Sequence, residues 1–590
     1  MPTYPDVLNP DLLERIPLDA RVILDVGCAT GALGAEYKRR NPVCRYLGIE
    51  SDATAARLAA TRLDEVATSD VEAKPFPFGP GPFDCIVYGD VLEHMRDPWA
   101  LLRRHAAALS ENGVVLICMP NAEHWSFAER LLRGTWDYEP IGLFDRTHLR
   151  WFTWETTHRA LAAAGLVPVD VAPRIFGREA GEAFVQAMEP ALAALGIDRE
   201  GYRGRALPLQ HVWRAARRPP AILHLRSTML DHVGGVSHVR VVQPMRALAT
   251  APGVITEVVT EGQPLAPPTD DGAPRLFIFH RPLLAGAGGL EQVRGLIARG
   301  WMVLCEFDDH PGFMRAMQRD DVHNFSAVHA VQTSTEPLAA VLRQTNPEVA
   351  VFTNAIVRLP DVRNYADPNR LTLFFAGLNR EDDWPPFLEA LNGVAALAGE
   401  RLQFRIVADN GLFEALQTPH KRFVPLCDYE TYQDLLAGSE ISFMPLRDNA
   451  FNRCKSDLKF IEAAAHRVTA LASPVVYAGS VEDGRTGLLF RDAAELQMRL
   501  LHLLADPARG RAIGDAARAM VARQRMLGRQ VPQRLAWYRS LWARRDELHR
   551  ALLERVPELA RPPVDPMILS PVEGTVLVLP AAPSSASASD

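Results

Sequence analysis

Several groups of residues in this chain have types and spacing suited to chemistry. In "RVILDVGCATGALG" a buried-strand pattern ends on Asp25, and Gly27 and Gly31 follow in the turn before a helix. Glycines there let the backbone approach a ligand closely. The next strand pattern, "CRYLGIE", ends on Glu50, whose carboxylate can accept both hydroxyls of a ribose. Asp70 beside Val71 suits an adenine amino group and ring edge. "FDCIVYGDVLEHMRDP" carries Asp90, Glu93 and His94 to the end of a further strand, the place where open α/β sheets bind ligands.

A second group lies in "PNAEHWSFAERLLRGTWDYEPIGLFDRTHLRWFTWET", rich in aromatics, His and Arg and long for a connection, which reads as a substrate lid. A histidine near neutral pKa suits removal of a hydroxyl proton. His148 is the first choice for that base, His94 the second and His124 a third, each weighed against a purely structural hydrogen bond. No cluster with metal-ligand spacing stands out, so metal-independent chemistry is expected.

A third group occupies the second half of the chain. In "CKSDLKFIEAAAHRV", Lys455, Lys459 and Glu462 fall at i, i+4 and i+7 of a helical pattern. Such a stripe is either a solvated salt-bridge face or the lip of a crevice. Gly377 and Arg380 follow the strand pattern "RLTLFFAG" in a glycine turn. Upstream, Gly234-Gly235 precede a helix expected from about Ser237 to Leu248. His280, Glu306, Asp308 and Asp309 stand at strand ends. The Asp308–Asp309 pair invites a metal reading, but a helix cap or an acceptor-hydroxyl contact is preferred because no third ligand motif accompanies it.

The elements that position these residues alternate as strand and helix patterns from Arg21 almost to Leu548, the mark of α/β layers with mostly parallel sheets. Three successive Rossmann-like units are expected, over 1–215, 220–365 and 366–548, with 549–590 a low-complexity, disordered tail. The proline joint in "RAARRPPAILHL" and the polar link before Leu371 divide the units, and Gly262 to Arg275 forms a loop. A net charge of -7 and a pI near 6.2 argue against a nucleic-acid partner. No basic-then-apolar leader and no membrane span of ~20 apolar residues stand out. Seven scattered cysteines read as reduced thiols. Together these favour a cytoplasmic protein.

The motif series from about Arg21 to Leu166 resembles class I S-adenosylmethionine-dependent methyltransferases. A dehydrogenase-type site would want GxGxxG, whereas the run here is Gly27-Cys28-Ala29-Thr30-Gly31. By that resemblance Asp25, Gly27 and Gly31 hold the methionine end of S-adenosylmethionine, Glu50 its ribose, and Asp70 and Val71 its adenine, with Asp90 beside them. The acceptor region is similar to that of methyltransferases of bacterial polysaccharide synthesis, which implies a sugar hydroxyl as acceptor. From Pro220 to Leu548 the chain resembles GT-B glycosyltransferases of the retaining kind. That implies a nucleotide-sugar co-substrate, bound by Gly377, Arg380, Lys455, Lys459 and Glu462, and no metal. Gly235, His280 and Asp308 would face the acceptor. Where the common pattern has a second glutamate, this chain has Cys454. The combined expectation is a bifunctional enzyme acting on a saccharide or lipid-linked glycan, possessing no transmembrane segment and peripheral to the inner face of the plasma membrane. The rival is a methyltransferase joined to a non-catalytic glycan-binding module.

Overall fold

In a computed structural model, residues 6–229, 234–260, 272–362, 367, 369–378 and 380–563 are described. They fall into two compact units. One runs to Ile222 and includes Ala249–Val254; the other holds Leu223–Leu248 and the chain from Ile255 onward.

The first unit is one seven-stranded sheet: β1 (Val22–Val26), β2 (Arg45–Glu50), β3 (Glu65–Thr68), β4 (Phe83–Gly89), β5 (Leu109–Pro120), β6 (Val167–Arg174) and β7 (Gln210–Ala216). Its order is β3-β2-β1-β4-β5-β7-β6. β7 runs antiparallel to both neighbours, and the other pairings given are parallel. Strand order reverses between β1 and β4, which opens a crevice at their C-terminal ends. The central strands are nearly all apolar because helices cover both faces. Ile86, Val87 and Tyr88 of β4 are fully buried, each contributing roughly 1.5–3 kcal/mol of burial. The helix Trp154–Ala163 starts where Thr153 and Thr156 form a reciprocal capping box. Asp97 caps the helix Pro98–Ala107, with proline at its first position.

The second unit holds two six-stranded sheets. The first comprises β8 (Leu223–Met229), β9 (Val254–Thr260), β10 (Arg275–His280), β11 (Met302–Glu306), β12 (Ala330–Thr333) and β13 (Val349–Val351), ordered β13-β12-β11-β10-β8-β9. The second comprises β14 (Leu371–Ala376), β15 (Leu402–Val407), β16 (Lys421–Val424), β17 (Ile441–Met444), β18 (Thr469–Ala472) and β19 (Leu488–Leu489), ordered β16-β15-β14-β17-β18-β19. The expected α/β class with three Rossmann-like sheets is what the chain adopts.

Several boundaries differ from expectation. Arg214 to Ala216 belong to β7, so the joint begins after Ala216. Arg275 opens β10, and the loop residues 262–271 lie outside the described residues. The expected disordered tail from 549 is in fact structured at its start: helix Arg545–Arg555 passes through it. Leu552, Val556 and Leu559 are buried in one core cluster with Phe277, Val303 and Leu342 of the first of the two sheets. Apolar residues at 552, 556 and 559 make a helical stripe that low complexity further on had obscured. Residues 564–590 lie outside the described residues.

Candidate functional site

In the first unit, the residues expected to hold S-adenosylmethionine stand at or just beyond the C-terminal ends of β1, β2, β3 and β4. Gly27 has φ of 70°, and its N–H donates to the Ile49 carbonyl at 2.8 Å. A Cβ on Gly27 would fall 2.5 Å from Val91 Cγ2, so glycine lets the turn lie against the loop after β4. Gly31, with φ of 77°, begins the helix Ala32–Arg40. Glu50 is buried; Oε2 accepts from the Ala29 N–H at 2.9 Å and Oε1 from the Asp52 N–H at 2.8 Å. Each oxygen keeps a lone pair for a further donor such as a ribose hydroxyl. Asp25 is 3% exposed and accepts from Tyr46 Oη at 3.0 Å. Burial pushes its carboxyl up to about 7 against the effect of that bond, and nearby Glu50 adds to the rise. Asp70 is exposed and accepts from the Glu72 N–H at 2.8 Å, and Val71 beside it is buried. Asp90, with φ of 57°, accepts from Gln210 Nε2. The glycine turn, the acidic strand ends and the closeness of Val91 suit a nucleoside with a positively charged methionine portion.

Next to this crevice, the short turn Leu92–His94 meets the end of the lid. The lid is fastened there by its backbone: the Leu149 and Arg150 N–H groups donate to the Glu93 carbonyl at 2.8 and 3.0 Å. This brings His94 and His148 together, with ring centroids 4.8 Å apart. Burial and the neighbouring His94 hold His148 below the usual imidazole range. His124, the third choice, is instead a helix cap. Its Nδ1 accepts from the Ser126 N–H and faces Ser126 Oγ at 2.8 Å at the start of Trp125–Leu132, and burial drives it down to about 4. The expectation that no metal-ligand set exists rested on spacing along the chain. Folding places ligand atoms of Glu93, His94 and His148 all within 4.8 Å of one another.

In the second unit, an open cleft with a cavity volume of about 200 Å³ lies between the two sheets. Arg380, Lys455 and Lys459 line it from the second sheet's side, and Asp308 from the first's. Arg240, Arg281 and Tyr477 line it too and escaped the sequence reading. A lone arginine inside the apolar run "VSHVRVVQPM" was the available signal for Arg240. Asp308 is paired with Arg281, Oδ1 to Nε 2.6 Å, and Asp309 with Lys455, Oδ1 to Nζ 2.7 Å. Both carboxylates are thus ion-paired to cationic side chains. Arg380 donates to Asn452 Oδ1 at 2.8 Å and Asp383 Oδ2 at 3.1 Å. Lys459 donates to the Ala376 carbonyl, and burial with the nearby Arg380 brings its ammonium down to about 7. Gly377 sits where a Cβ would meet the Phe375 ring at 2.7 Å.

Some expected contacts are placed elsewhere. Lys455 precedes the helix Leu458–Ala465, so the three-residue stripe is only partly helical. Glu462 is 3% exposed and its carboxylate accepts from Tyr429 Oη at 2.8 Å, Tyr432 Oη at 3.2 Å and Gln433 Nε2 at 2.9 Å. It does not line the cleft. Burial raises it to about 7 despite those donors. Gly235 abuts the Tyr429 ring, 3.0 Å from where its Cβ would stand. His280 is buried with neither ring nitrogen partnered among the described residues, and burial drives it to about 4, a neutral imidazole. Cys454 is buried in the first sheet's core cluster, so at that position the chain packs an apolar side chain instead of presenting a carboxylate.

Known proteins match these two regions separately. Residues 5–171 match the family described as a methyltransferase domain, and residues 385–534 match one described as glycosyl transferase-like. Trans-aconitate 2-methyltransferase of Azoarcus sp. is 32% identical over 126 residues, 21% of this chain and 49% of that protein. Ubiquinone biosynthesis O-methyltransferase of Cereibacter sphaeroides is 26% identical over 181 residues, 28% of this chain and 68% of that one. The chain thus spans about half the length of the trans-aconitate enzyme it matches. Among solved structures, Anabaena HepE in complex with UDP and glucose is 12% identical, covering 53% of this chain and 99% of that one with a TM-score of 0.40. Sucrose-phosphate synthase from Thermosynechococcus elongatus is 17% identical, covering 54% and 99% with a TM-score of 0.38. The first unit thus contains a region that matches a methyltransferase domain family, and the second a region that matches a glycosyl transferase-like family.

Proposed function

We propose that this chain is a bifunctional enzyme of surface polysaccharide or glycolipid synthesis. Its first unit methylates a sugar hydroxyl, and its second transfers a glycosyl group from a nucleotide-sugar to a saccharide acceptor. The observation that carries the second activity is the cluster of Arg380, Lys455 and Lys459 on one cleft. Breaking a sugar–nucleotide bond leaves charge on the diphosphate, and cations already in place stabilise it. Arg380 and Lys455 would meet the diphosphate oxygens, and Lys459 would hold a charge beneath them.

In the first unit, S-adenosylmethionine would supply a methyl group activated on sulfur. Glu50 would accept the ribose hydroxyls, Asp25 would face the methionine end, and Asp70 with Val71 would hold the adenine. The His94–His148 pair would act on the acceptor hydroxyl as its proton leaves. Exposed Leu131, Leu132, Tyr138 and Ile141 on the lid support a lipid-linked acceptor and peripheral residence at the inner face of the plasma membrane.

A panel of nucleotide-sugars screened by thermal shift on the full chain, followed by mass spectrometry of products with S-adenosylmethionine added, tests both halves. A donor that stabilises the protein and yields a glycosylated product upholds the reading. A second reading, methyltransferase plus non-catalytic glycan-binding module, is favoured by the engagement of Glu462 with Tyr429, Tyr432 and Gln433. It prevails if no donor binds and Glu462→Ala alters stability alone.

A further inference from the structure

We propose that Glu93, His94 and His148 form a binding site for one divalent first-row transition ion in the methyltransferase unit. This deepens the methylation reading given above and rests on it for its chemistry, though not for its binding.

Two independent observations carry the site. The first is convergence: one ligand atom from each of the three residues lies within 4.8 Å of the other two. Glu93 and His94 come from the turn after β4 and His148 from the far end of the lid, so chain proximity explains only two of the three. The second is an unpartnered buried carboxylate. Glu93 is 1% exposed, yet neither Oε1 nor Oε2 has a hydrogen-bond partner among the described residues. Buried carboxylates are normally paired, hydrogen-bonded or bound to metal. The groups facing it in this set are two imidazoles.

The imidazoles are prepared as ligands. His94 Nδ1 stands 3.3 Å from the Thr147 carbonyl and 3.1 Å from Thr147 Oγ1. His148 Nδ1 stands 3.2 Å from the Leu143 carbonyl. Carbonyl oxygens only accept, so each Nδ1 carries the proton and each Nε2 presents its lone pair. That is the usual arrangement of metal-bound histidine. Thr147 Oγ1 in turn donates to Asp145 Oδ1 at 2.6 Å, which anchors the support of His94. The Leu149 and Arg150 N–H groups clamp the Glu93 carbonyl, so the backbone itself joins the two halves of the set.

Two imidazoles with one carboxylate favour Zn²⁺, Mn²⁺ or Fe²⁺ over Mg²⁺, which prefers oxygen ligands. Ligands bound to one such ion stand roughly 3.3 Å apart in a tetrahedron, so the side chains would close by up to ~1.5 Å. Three protein ligands leave a position open for an acceptor hydroxyl. Coordination there acidifies the hydroxyl, as it does bound water. The proton passes to water, the oxygen lone pair bonds the methyl carbon, and the carbon–sulfur bond breaks with its electrons remaining on sulfur. The histidines then act through the ion rather than as free bases.

The test uses full-length protein stripped with a chelator and then titrated with Zn²⁺, Mn²⁺ and Mg²⁺. Calorimetry and elemental analysis are expected to find one equivalent of Zn²⁺ or Mn²⁺ bound. Affinity should fall at least ~10-fold in Glu93→Gln and His148→Ala, and one equivalent should disappear in His94→Ala/His148→Ala. The visible absorption of the Co²⁺-loaded protein should disappear with it. Each variant's affinity for S-adenosylmethionine, measured alongside, reports that the unit remains folded, and Glu93→Gln is the conservative variant if either alanine variant fails that check. Wild type and the double variant binding the same number of ions with equal affinity would overturn the site. Full methyl transfer by metal-free protein would overturn the ion's part in the chemistry. An ion that binds as expected while no methyl is transferred to any saccharide leaves the site standing and sinks the methylation reading instead.

Discussion

Lys455 Nζ lies 2.7 Å from Asp309 Oδ1, an ion pair that joins the two sheets of the second unit across their cleft. A diphosphate entering that cleft must draw Lys455 away from Asp309. Lys455→Met should weaken binding of a UDP- or GDP-type ligand by about 10- to 100-fold, the worth of one charge-assisted hydrogen bond. Asp309→Asn, which removes the competitor, should strengthen it. Calorimetric titration of both variants checks the pair, and opposite signs are the expected outcome.

Lys459 gives the cleft a pH dependence. Its ammonium titrates near 7 in the folded chain, against about 10.4 unfolded. The unfolded state therefore holds more protons between those values, and this group's contribution to stability rises with pH across that window. Glu462, raised to about 7, acts oppositely: its contribution is present below the usual glutamate range and is lost as pH rises through 7. Diphosphate binding should recharge Lys459 and take up a proton. Affinity should then fall between pH 7 and 9, by up to ~10-fold per unit. Calorimetry in buffers of different ionisation heat measures the uptake, and Lys459→Arg should abolish it.

Asp25 predicts a similar signature in the first unit. Its folded carboxyl titrates at about 7, so its contribution to stability is full below about pH 4 and is lost as pH rises through 7. Asp25→Asn should remove up to about 1.4 kcal/mol per pH unit of that slope. Urea denaturation between pH 5 and 8 would show it. Equal slopes in variant and wild type would refute the assignment.

Gly27→Ala should abolish S-adenosylmethionine binding and cost roughly 2–4 kcal/mol. That figure combines a left-handed backbone with overpacking against Val91 Cγ2. Adding Val91→Ala should recover the packing part alone, a partial rescue readable in melting temperature.

Leu552→Ala should destabilise the second unit by about 2–5 kcal/mol, because the side chain is fully buried in the first sheet's core. A disordered tail would give no change.

Local patterns made the three sheets legible. Strand ends at Asp25, Glu50 and Asp90, and the glycines beside them, follow from alternating apolar runs and turn residues. Arg380, Lys455 and Lys459 were legible for the same reason, each lying just beyond a strand or at a helix start. Contacts between distant segments were not. The clasp of Tyr429, Tyr432 and Gln433 on Glu462 depends on how one helix lies on another. The meeting of Glu93 with His148 depends on a backbone clamp far along the chain. Metal-ligand spacing rules look for near neighbours and pass over such a set. The buried stripe of Leu552, Val556 and Leu559 was hidden by reading composition where periodicity was the stronger signal.

The chain crosses between the sheets of the second unit twice, once after β13 and again after the helix Pro507–Gln524. Those two crossings touch: the Ile356 N–H donates to the Arg525 carbonyl and the Leu527 N–H to the Ile356 carbonyl, each at 2.8 Å. Arg525 also donates to the Asn354 carbonyl at 2.9 Å, and Gln530 Nε2 to that of Thr353. Two ribbons stitched together at one line would work as a door hinge does, leaving a single rotation soft and resisting slide and twist. Opening of the cleft would then be reduced to one angle, with the Lys455–Asp309 pair as its latch.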